Sequence, residues 1–527
     1  MKRTLTLLLI FLLCLSFIAC AASPTPTDSP TQTSSSENSQ TQRVSFPLKE
    51  EFTLHINYDF PAPEGVDMQK ALEANPLYQE LYEKTNVKVQ VHYYDLTSSM
   101  VQPMTNVGIM ISNHDQSIRS WISADVPLRL DSYVDDPTLM PNLHQQVFSQ
   151  LAELRGTMTE LDGHIYALPG YDSDPLPNME NYLWINKTWL DRANLEIPTT
   201  FEALEAALSY FAANDMNENG STDDEIPFYP GTQKKMELEG LMGMWGIPIS
   251  PNADSSIRNL TRLMYVENGQ VQYVNHQQFQ QFIAAMKRWY DNGILCQGIG
   301  DQMNYDSEPV LSDAVEGAVQ VGAFLAPNLN GIRGSEEYIC ITPPGADGNT
   351  VRWYQKPSAM GESGNLCLMK NCQQPEIILA WLDLFYDPHI TLRYCCGENN
   401  DFSRNEIPLQ EILPHLPYAK NAKFYETYER TDEEKAMMAN WELYKDVVTS
   451  EPLPNLKFDH DDSGKIKDTS ADISTLFTRT LYLCVTNIGD VESDWESYQK
   501  SLKQVRIEDY VRIVQESYDA WLAEKAG

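Results

Sequence analysis

The stretch that decides the fold is FTLHINY (residues 52–58) together with NPLYQELYEKTNVKVQVHY (residues 75–93). In the first segment Phe52, Leu54, Ile56 and Tyr58 alternate with polar neighbours, the period-two pattern of a half-buried strand. In the second, Asn75 and Pro76 read as an N-cap and first helical residue, leading to Leu81 and Tyr82 on a helix. Val87, Val89, Val91 and Tyr93 then restore the alternation. Strand, helix and strand in this order predict two parallel strands joined by a helical crossover, the unit of an α/β sheet.

Helical signals continue downstream. Thr199 with Glu202 reads as a capping box, ahead of Phe201, Leu204, Leu208 and Phe211 on one face. Near the C-terminus Tyr510, Ile513, Val514, Ser517 and Trp521 form a stripe of the kind that packs a core. There is no internal repeat. About 480 globular residues suit two or three domains or two large lobes.

Upstream of the strand the chain reads as an export signal. Lys2 and Arg3 precede an apolar run from Leu5 to Ile18, too short and wrongly flanked for a membrane span. The run ends in Phe17-Ile18-Ala19-Cys20, which looks like a bacterial lipobox with Phe17 where Leu is usual. That likeness implies removal of residues 1–19 and lipidation of Cys20. Residues 20–45 are rich in Ser, Thr and Pro and cannot bury enough surface to fold. Such a tether spans roughly 27 Å root-mean-square.

The formal net charge of -36 argues against nucleic acid or an anionic lipid face as partner. Beyond Cys14 and Cys20 the cysteines are Cys296, Cys340, Cys367, Cys372, Cys395, Cys396 and Cys484, an odd set without CxxC spacing. Buried free thiols are the expectation, with one or two disulfides left open.

The sharpest chemical motif is DMNENGSTDDE (residues 215–225). Asp215, Asn217 and Asn219 place oxygen side chains at positions one, three and five. Gly220 permits the tight turn at position six, the Ser221 carbonyl follows, and Asp223 stands at position nine. This is the spacing of an EF-hand-type loop whose hard oxygen ligands suit calcium. Position twelve is Ile226 instead of Glu, so Asp224 or Glu225 must supply the last carboxylate. Pro227 speaks against a standard exiting helix. The ion would be structural, cancelling the repulsion of gathered carboxylates. A second acidic run, Asp459 to Asp462, lacks this spacing and reads as a surface loop.

An ordered series of short segments resembles the family 1 extracellular solute-binding proteins, the long lipoproteins of Gram-positive bacteria of the LplA/LipO type. It comprises Gly163 to Pro169, Trp184 to Leu190, Ile197 to Thr200, and the acidic loop closing in Glu225-Ile226-Pro227. Ser123-Ala124-Asp125-Val126-Pro127 is similar to the family's GDLPD segment, though Leu128 replaces the second Asp. Trp289 to Leu295, Pro375-Glu376 with Trp381 to Asp383, and Asp494 to Trp521 match further family segments.

The resemblance implies a type II periplasmic-binding-protein fold, two α/β lobes joined by a hinge with a ligand cleft between them. It places lobe 1 at 46–170 plus 320–362 and lobe 2 at 171–319 plus 363–527. It implies an extracellular, lipid-anchored monomer that captures a carbohydrate for an ABC importer, with permease and ATPase subunits as partners. Candidate ligand contacts are Tyr171, Asp172 and Trp184 after the first crossing, Asp125 from the opposite lobe, and Trp245, Phe324, Trp353 and Tyr354 as stacking platforms. Aromatic faces stack on sugar C–H surfaces while carboxylates and amides take the hydroxyls. The rival readings are a binder of peptides or another solute, a surface sensor, and a glycoside hydrolase. Against the last, the chain has no HExxH, GxSxG or P-loop, and in Gly361-Glu362-Ser363-Gly364 the second glycine comes one residue too early for a nucleophile elbow.

Overall fold

The computed structural model describes residues 44–526, apart from 95–106, 113–116, 152–153, 231–237, 251–260, 262, 275, 296–310, 314–316, 318, 357–359, 362–365, 398–406, 450, 455, 459 and 487–489. The signal, Cys20, nearly all of the tether and Cys296 lie outside the described residues.

The opening strand–helix–strand unit forms as read. β1 (Phe52–Tyr58) and β2 (Val87–Tyr93) pair in parallel, with Phe52 opposite Val87. Asn75 caps the helix Pro76–Thr85 by accepting from the Tyr78 N–H at 3.2 Å. β3 (Ile109–Ile111) adds in parallel to β1, and β12 (Leu366–Leu368) adds antiparallel to β3, giving the order β12-β3-β1-β2. Leu54, Ile56, Tyr58, Val87 and Val89 fall on one face and bury against the neighbouring helices.

A second sheet has the order β10-β5-β9-β6. It combines β5 (Tyr182–Asn186), β6 (Ile226–Tyr229), β9 (Val321–Ala326) and β10 (Tyr338–Ile341). β6 and β9 are parallel, and β5 runs antiparallel to both β9 and β10. A hairpin of β7 (Met264–Glu267) and β8 (Gln270–Tyr273) and the helices Gln277–Asp291, His460–Thr486, Val491–Gln504 and Ile507–Ala526 complete this half.

Each sheet has its own core. The first draws on residues from Leu54 to Leu168 and again from Leu366 to Phe424. The second draws on residues from Met179 to Trp353 and again from Tyr444 to Tyr518. The expected lobe boundaries are therefore corrected after the first crossing. β9 lies between β5 and β6, so residues 320–341 belong to the second lobe, and β12 belongs to the first. Both strands are buried on both faces, and an apolar run of that kind carries no mark of the sheet it joins.

Two local expectations shift. The helix Phe201–Ala213 is capped by Thr200, which accepts from the Ala203 N–H at 3.2 Å, one residue after the cap read from the sequence. The acidic run near 460 is not a loop; the helix His460–Thr486 begins there, with Asp462 pairing to Lys465 one turn on. Cys340, Cys367, Cys372, Cys395, Cys396 and Cys484 are free thiols. Burial pushes Cys395 up to about 12 and Cys396 up to about 11, so both stay protonated and inert.

Asp383 ends the helix Pro375–Asp383 and accepts from the first N–H groups of the turn Pro141–Leu143, Leu143 at 2.9 Å and Asn142 at 3.0 Å. Burial pushes its carboxyl up to about 6 against those bonds. The folded protein thus holds this proton more tightly than the unfolded chain. Its stabilising contribution is complete below the ordinary value of 3.8 and is lost as pH rises through about 6, a change of roughly 3 kcal/mol. Urea unfolding of wild type and Asp383→Asn should show wild type losing ground to the variant over that window. A pH-independent difference would mean that Asp383 titrates normally.

Candidate functional site

Among the described residues the chain crosses between the cores at three places: between Leu168 and Met179, between Trp353 and Leu366, and between Phe424 and Tyr444. A third sheet lies at these crossings. β4 (Gly170–Asp172) pairs antiparallel with β11 (Met360–Gly361) and parallel with β13 (Tyr418–Lys420). Gly170 lies under the Tyr418 ring, where a Cβ would come within 2.8 Å of it. Glycine lets the strands approach this closely.

A buried polar cluster grows from this sheet. Asp172 accepts from the Tyr425 hydroxyl at 2.7 Å and from the Asp174 N–H at 2.9 Å, with the Lys420 ammonium at 3.6 Å. Asp174 accepts from the Arg430 guanidinium at 2.7 Å, and that guanidinium stacks 4.9 Å from the centre of the Tyr425 ring. Glu180 accepts from the Ser250 hydroxyl at 2.8 Å and stands 3.6 Å from the Lys356 ammonium. Burial raises the Asp172 pKa; the Asp174 N–H, Lys420 and the Tyr425 hydroxyl work against that rise.

Of the residues singled out from the sequence, Asp172 sits in this cluster, with half-buried Tyr171 beside it in β4. Half-buried Tyr354 opens the second crossing. The other aromatics lie in the second core. Trp184 stands opposite Phe324 in the β5–β9 register and donates to the Ala326 carbonyl at 2.9 Å. Phe324 meets Tyr338 edge-on. Trp245 packs against Phe201 and Phe282 and donates to Asp347 at 2.9 Å. Trp353 packs against Tyr444 and donates to the Asn181 carbonyl at 2.9 Å. Trp184, Trp245, Phe324 and Trp353 therefore pack as core side chains in this conformation. Asp125 belongs to the first lobe, has a φ of +57° and pairs with Lys370 at the surface. The sequence reading missed Asp174, Glu180, Lys420, Tyr425 and Arg430. No local signal marks them, since Tyr425 and Arg430 reach their partners from 253 and 256 residues away.

The acidic loop folds on itself. The Asp215 oxygens accept from the N–H groups of Asn219 at 3.1 Å and Gly220 at 2.8 Å. Asn217 accepts from Asn219 at 3.1 Å and Asn219 from Ser221 at 2.8 Å, while Ser221 Oγ accepts from the Asp223 N–H at 3.2 Å. Gly220 takes a φ of +90°, which only glycine adopts readily. One Asp224 oxygen accepts from Asn219 at 2.6 Å and Gln320 at 3.2 Å, and one Glu225 oxygen accepts from the Met216 N–H at 2.8 Å. The other two, Asp224 Oδ1 and Glu225 Oε2, are buried with no partner. No three His, Cys, Asp or Glu side chains gather tightly among the described residues. In this loop Asn217, Asn219 and Ser221 alternate with the carboxylates, a donor set of oxygens that suits a hard cation. Two orphaned anionic oxygens in such a set fit calcium. The loop leads into strand β6, as Pro227 foretold, and not into a helix.

No protein-family model matches the chain. It is 22% identical over 524 residues to the fructooligosaccharide ABC transporter substrate-binding protein FusA of Streptococcus pneumoniae, covering 92% of this chain and 93% of that protein. Among solved structures it superposes on an extracellular solute-binding protein from Bifidobacterium longum subsp. infantis with a TM-score of 0.68 at 15% identity, over 89% of this chain and 98% of that one. It superposes on FusA in complex with kestose with a TM-score of 0.64 at 20% identity, over 89% of this chain and 99% of that one.

This is the fold of the extracellular solute-binding proteins.

The resemblance read from the short motifs therefore holds at the level of the whole chain. The cluster of Asp172, Asp174, Tyr425 and Arg430 joins residues of the first and third crossings between the two cores. No helix among the described residues is long and apolar enough to cross a membrane.

Proposed function

We propose that this protein is an extracellular, lipid-anchored solute-binding protein that captures an oligosaccharide at the lobe crossings and hands it to an ABC importer. One observation carries the reading: the solute-binding fold runs through the described chain, and its crossings hold a buried cluster of carboxylates, cations and aromatic rings. Such groups read sugar hydroxyls and stack on sugar faces. FusA, related over nearly the whole chain, is a fructooligosaccharide binder, and its structure holds kestose. The protein binds and releases its ligand without chemistry. Its expected partners are a permease and an ATPase. Cys20 carries the lipid and residues 20–45 tether the lobes to the membrane.

Calcium occupies the Asp215–Glu225 loop in this reading. Asp215, Asn217, Asn219, Ser221, Asp223, Asp224 and Glu225 supply oxygens, with Asp224 and Glu225 replacing the carboxylate missing at position twelve. A FusA structure of similar fold, with a TM-score of 0.64, is of an EF-hand mutant bound to fructo-nystose, which supports a calcium loop in this group.

Thermal unfolding of the mature protein against a panel of oligosaccharides tests the function. A ligand that binds only the folded state raises the midpoint by mass action, about 2.7 kcal/mol at a hundredfold excess over Kd. Chromatography of the sugar afterwards should recover all of it intact. A shift accompanied by shortened sugar would make the protein a hydrolase, and no shift with any sugar would move peptides to the front.

A further inference from the structure

Two consecutive residues just beyond the first crossing have buried polar groups with nothing to bond. Asn181 is 3% exposed, and neither its side-chain nitrogen nor its oxygen has a partner. Tyr182 is fully buried and its hydroxyl has none either. Asn181 directly precedes strand β5 and Tyr182 opens it, after Glu180 and close behind Asp172 and Asp174 in the chain. Burial is the main cause of the raised Tyr182 pKa, followed by Cys340 and then by the charge of Asp174. Unpartnered indole nitrogens, such as those of Trp189 and Trp381, stand singly in the cores. Asn181 instead leaves a donor and an acceptor idle side by side. Each buried unmade bond destabilises a protein, so this cost needs a reason. A second such pair, Tyr58 Oη and Asp59 Oδ1, ends β1 in the first lobe. Ligands of open α/β sheets bind at such carboxyl edges.

The charges beside Asn181 and Tyr182 are already balanced. Asp172 has Lys420, Asp174 has Arg430 and Glu180 has Lys356, each within 3.6 Å. Glu434, which feels the Arg430 charge, adds a carboxylate and not a cation, and it is held by the Tyr428 hydroxyl at 2.7 Å. Every basic side chain of this cluster is thus committed to a carboxylate. An anionic ligand would have to lose its water without gaining a free cation, which is strongly unfavourable. Neutral hydroxyls need only the amide and phenol that stand idle.

We propose that the site selects a neutral oligosaccharide and rejects uronate or sulfated sugars, with Asn181 and Tyr182 taking ligand hydroxyls. This rests on the sugar-binding reading above and narrows it.

The test compares neutral fructo- and gluco-oligosaccharides with uronate oligomers of equal length, by calorimetry on the mature protein and on Tyr182→Phe and Asn181→Leu. Neutral sugars should bind wild type and uronates should not. Each variant should lose about 10- to 100-fold in affinity for the neutral sugar. Without sugar, each should unfold at the same midpoint as wild type or higher, because an idle buried polar group has been removed. That opposite movement of binding and stability separates a ligand contact from a structural one. Lowered midpoints with unchanged affinity would overturn the assignment of Asn181 and Tyr182. Uronates binding as well as neutral sugars would overturn the charge argument while leaving a sugar binder. Binding of neither class would remove both this inference and the reading beneath it.

Discussion

Replacing Arg430 by alanine should destabilise the protein by about 3–5 kcal/mol, the usual result of leaving one half of a buried ion pair behind. The Arg430 side chain is 19% exposed and that of its partner Asp174 is 8% exposed. Without the guanidinium, the Asp174 carboxylate would remain buried beside Asp172 with no cation of its own. The stacking on Tyr425 would go as well, a further loss of about 0.5–2 kcal/mol. The comparison is Lys445 with Glu442, where both side chains are about half exposed and Lys445→Ala should leave the unfolding midpoint close to that of wild type. Because Arg430 and Asp174 come from different crossings, Arg430→Ala should also loosen the hinge and weaken ligand capture. Urea unfolding with and without sugar measures both. Asp174→Asn placed on top of Arg430→Ala should restore part of the stability, since it removes the stranded charge. A single variant as stable as wild type would show that water screens this pair and that the cluster does not hold the crossings together.

Calcium should raise the unfolding midpoint and a chelator should lower it, by about 3–4 kcal/mol when the ion exceeds its Kd a hundred- to a thousandfold. The physical source is the pair of idle oxygens, Asp224 Oδ1 and Glu225 Oε2, inside a turn already crowded by Asp215 and Asp223. A divalent ion satisfies the oxygens and cancels the repulsion. Gln320 carries the effect into the lobe, since its side chain donates to Asp224 and its carbonyl accepts from the Ile226 N–H at 2.7 Å, where β6 meets β9. The double variant Asp224→Asn, Glu225→Gln should lose the calcium response. In chelator it should differ little from wild type, because the amide oxygens can still accept from Asn219, Gln320 and the Met216 N–H. Equal midpoints for wild type with and without calcium would sink the metal reading and leave a loop held by its own hydrogen bonds.

The proposed sugar site and the proposed calcium loop differ in how far the sequence announces them, and the difference is one of distance along the chain. All the oxygens of the loop come from Asp215 to Glu225, so their spacing is read directly from the sequence, and Gly220 supplies the turn. Even the departure at Ile226 was legible, and the neighbouring carboxylates Asp224 and Glu225 are the ones with idle oxygens. The parallel pair β1–β2 was legible for the same reason: alternation, N-cap and alternation follow one another directly. The aromatic residues were not. Trp184, Trp245, Phe324 and Trp353 have the composition of a sugar platform and the burial of a core, and composition is the same in both cases.

By itself the sequence determined the local units: the opening strand–helix–strand, the oxygen-rich loop, and the order of motifs that marks a solute-binding chain. Those depend on neighbours within a few residues, where backbone geometry and side-chain period leave little choice. Only the tertiary structure decided which sheet receives β9 and β12, which tryptophans are core, and that Tyr425 and Arg430 meet Asp172 and Asp174. Strand partnership and burial are properties of contacts between distant segments, and an apolar strand or a lone arginine fits many partners until the fold excludes all but one.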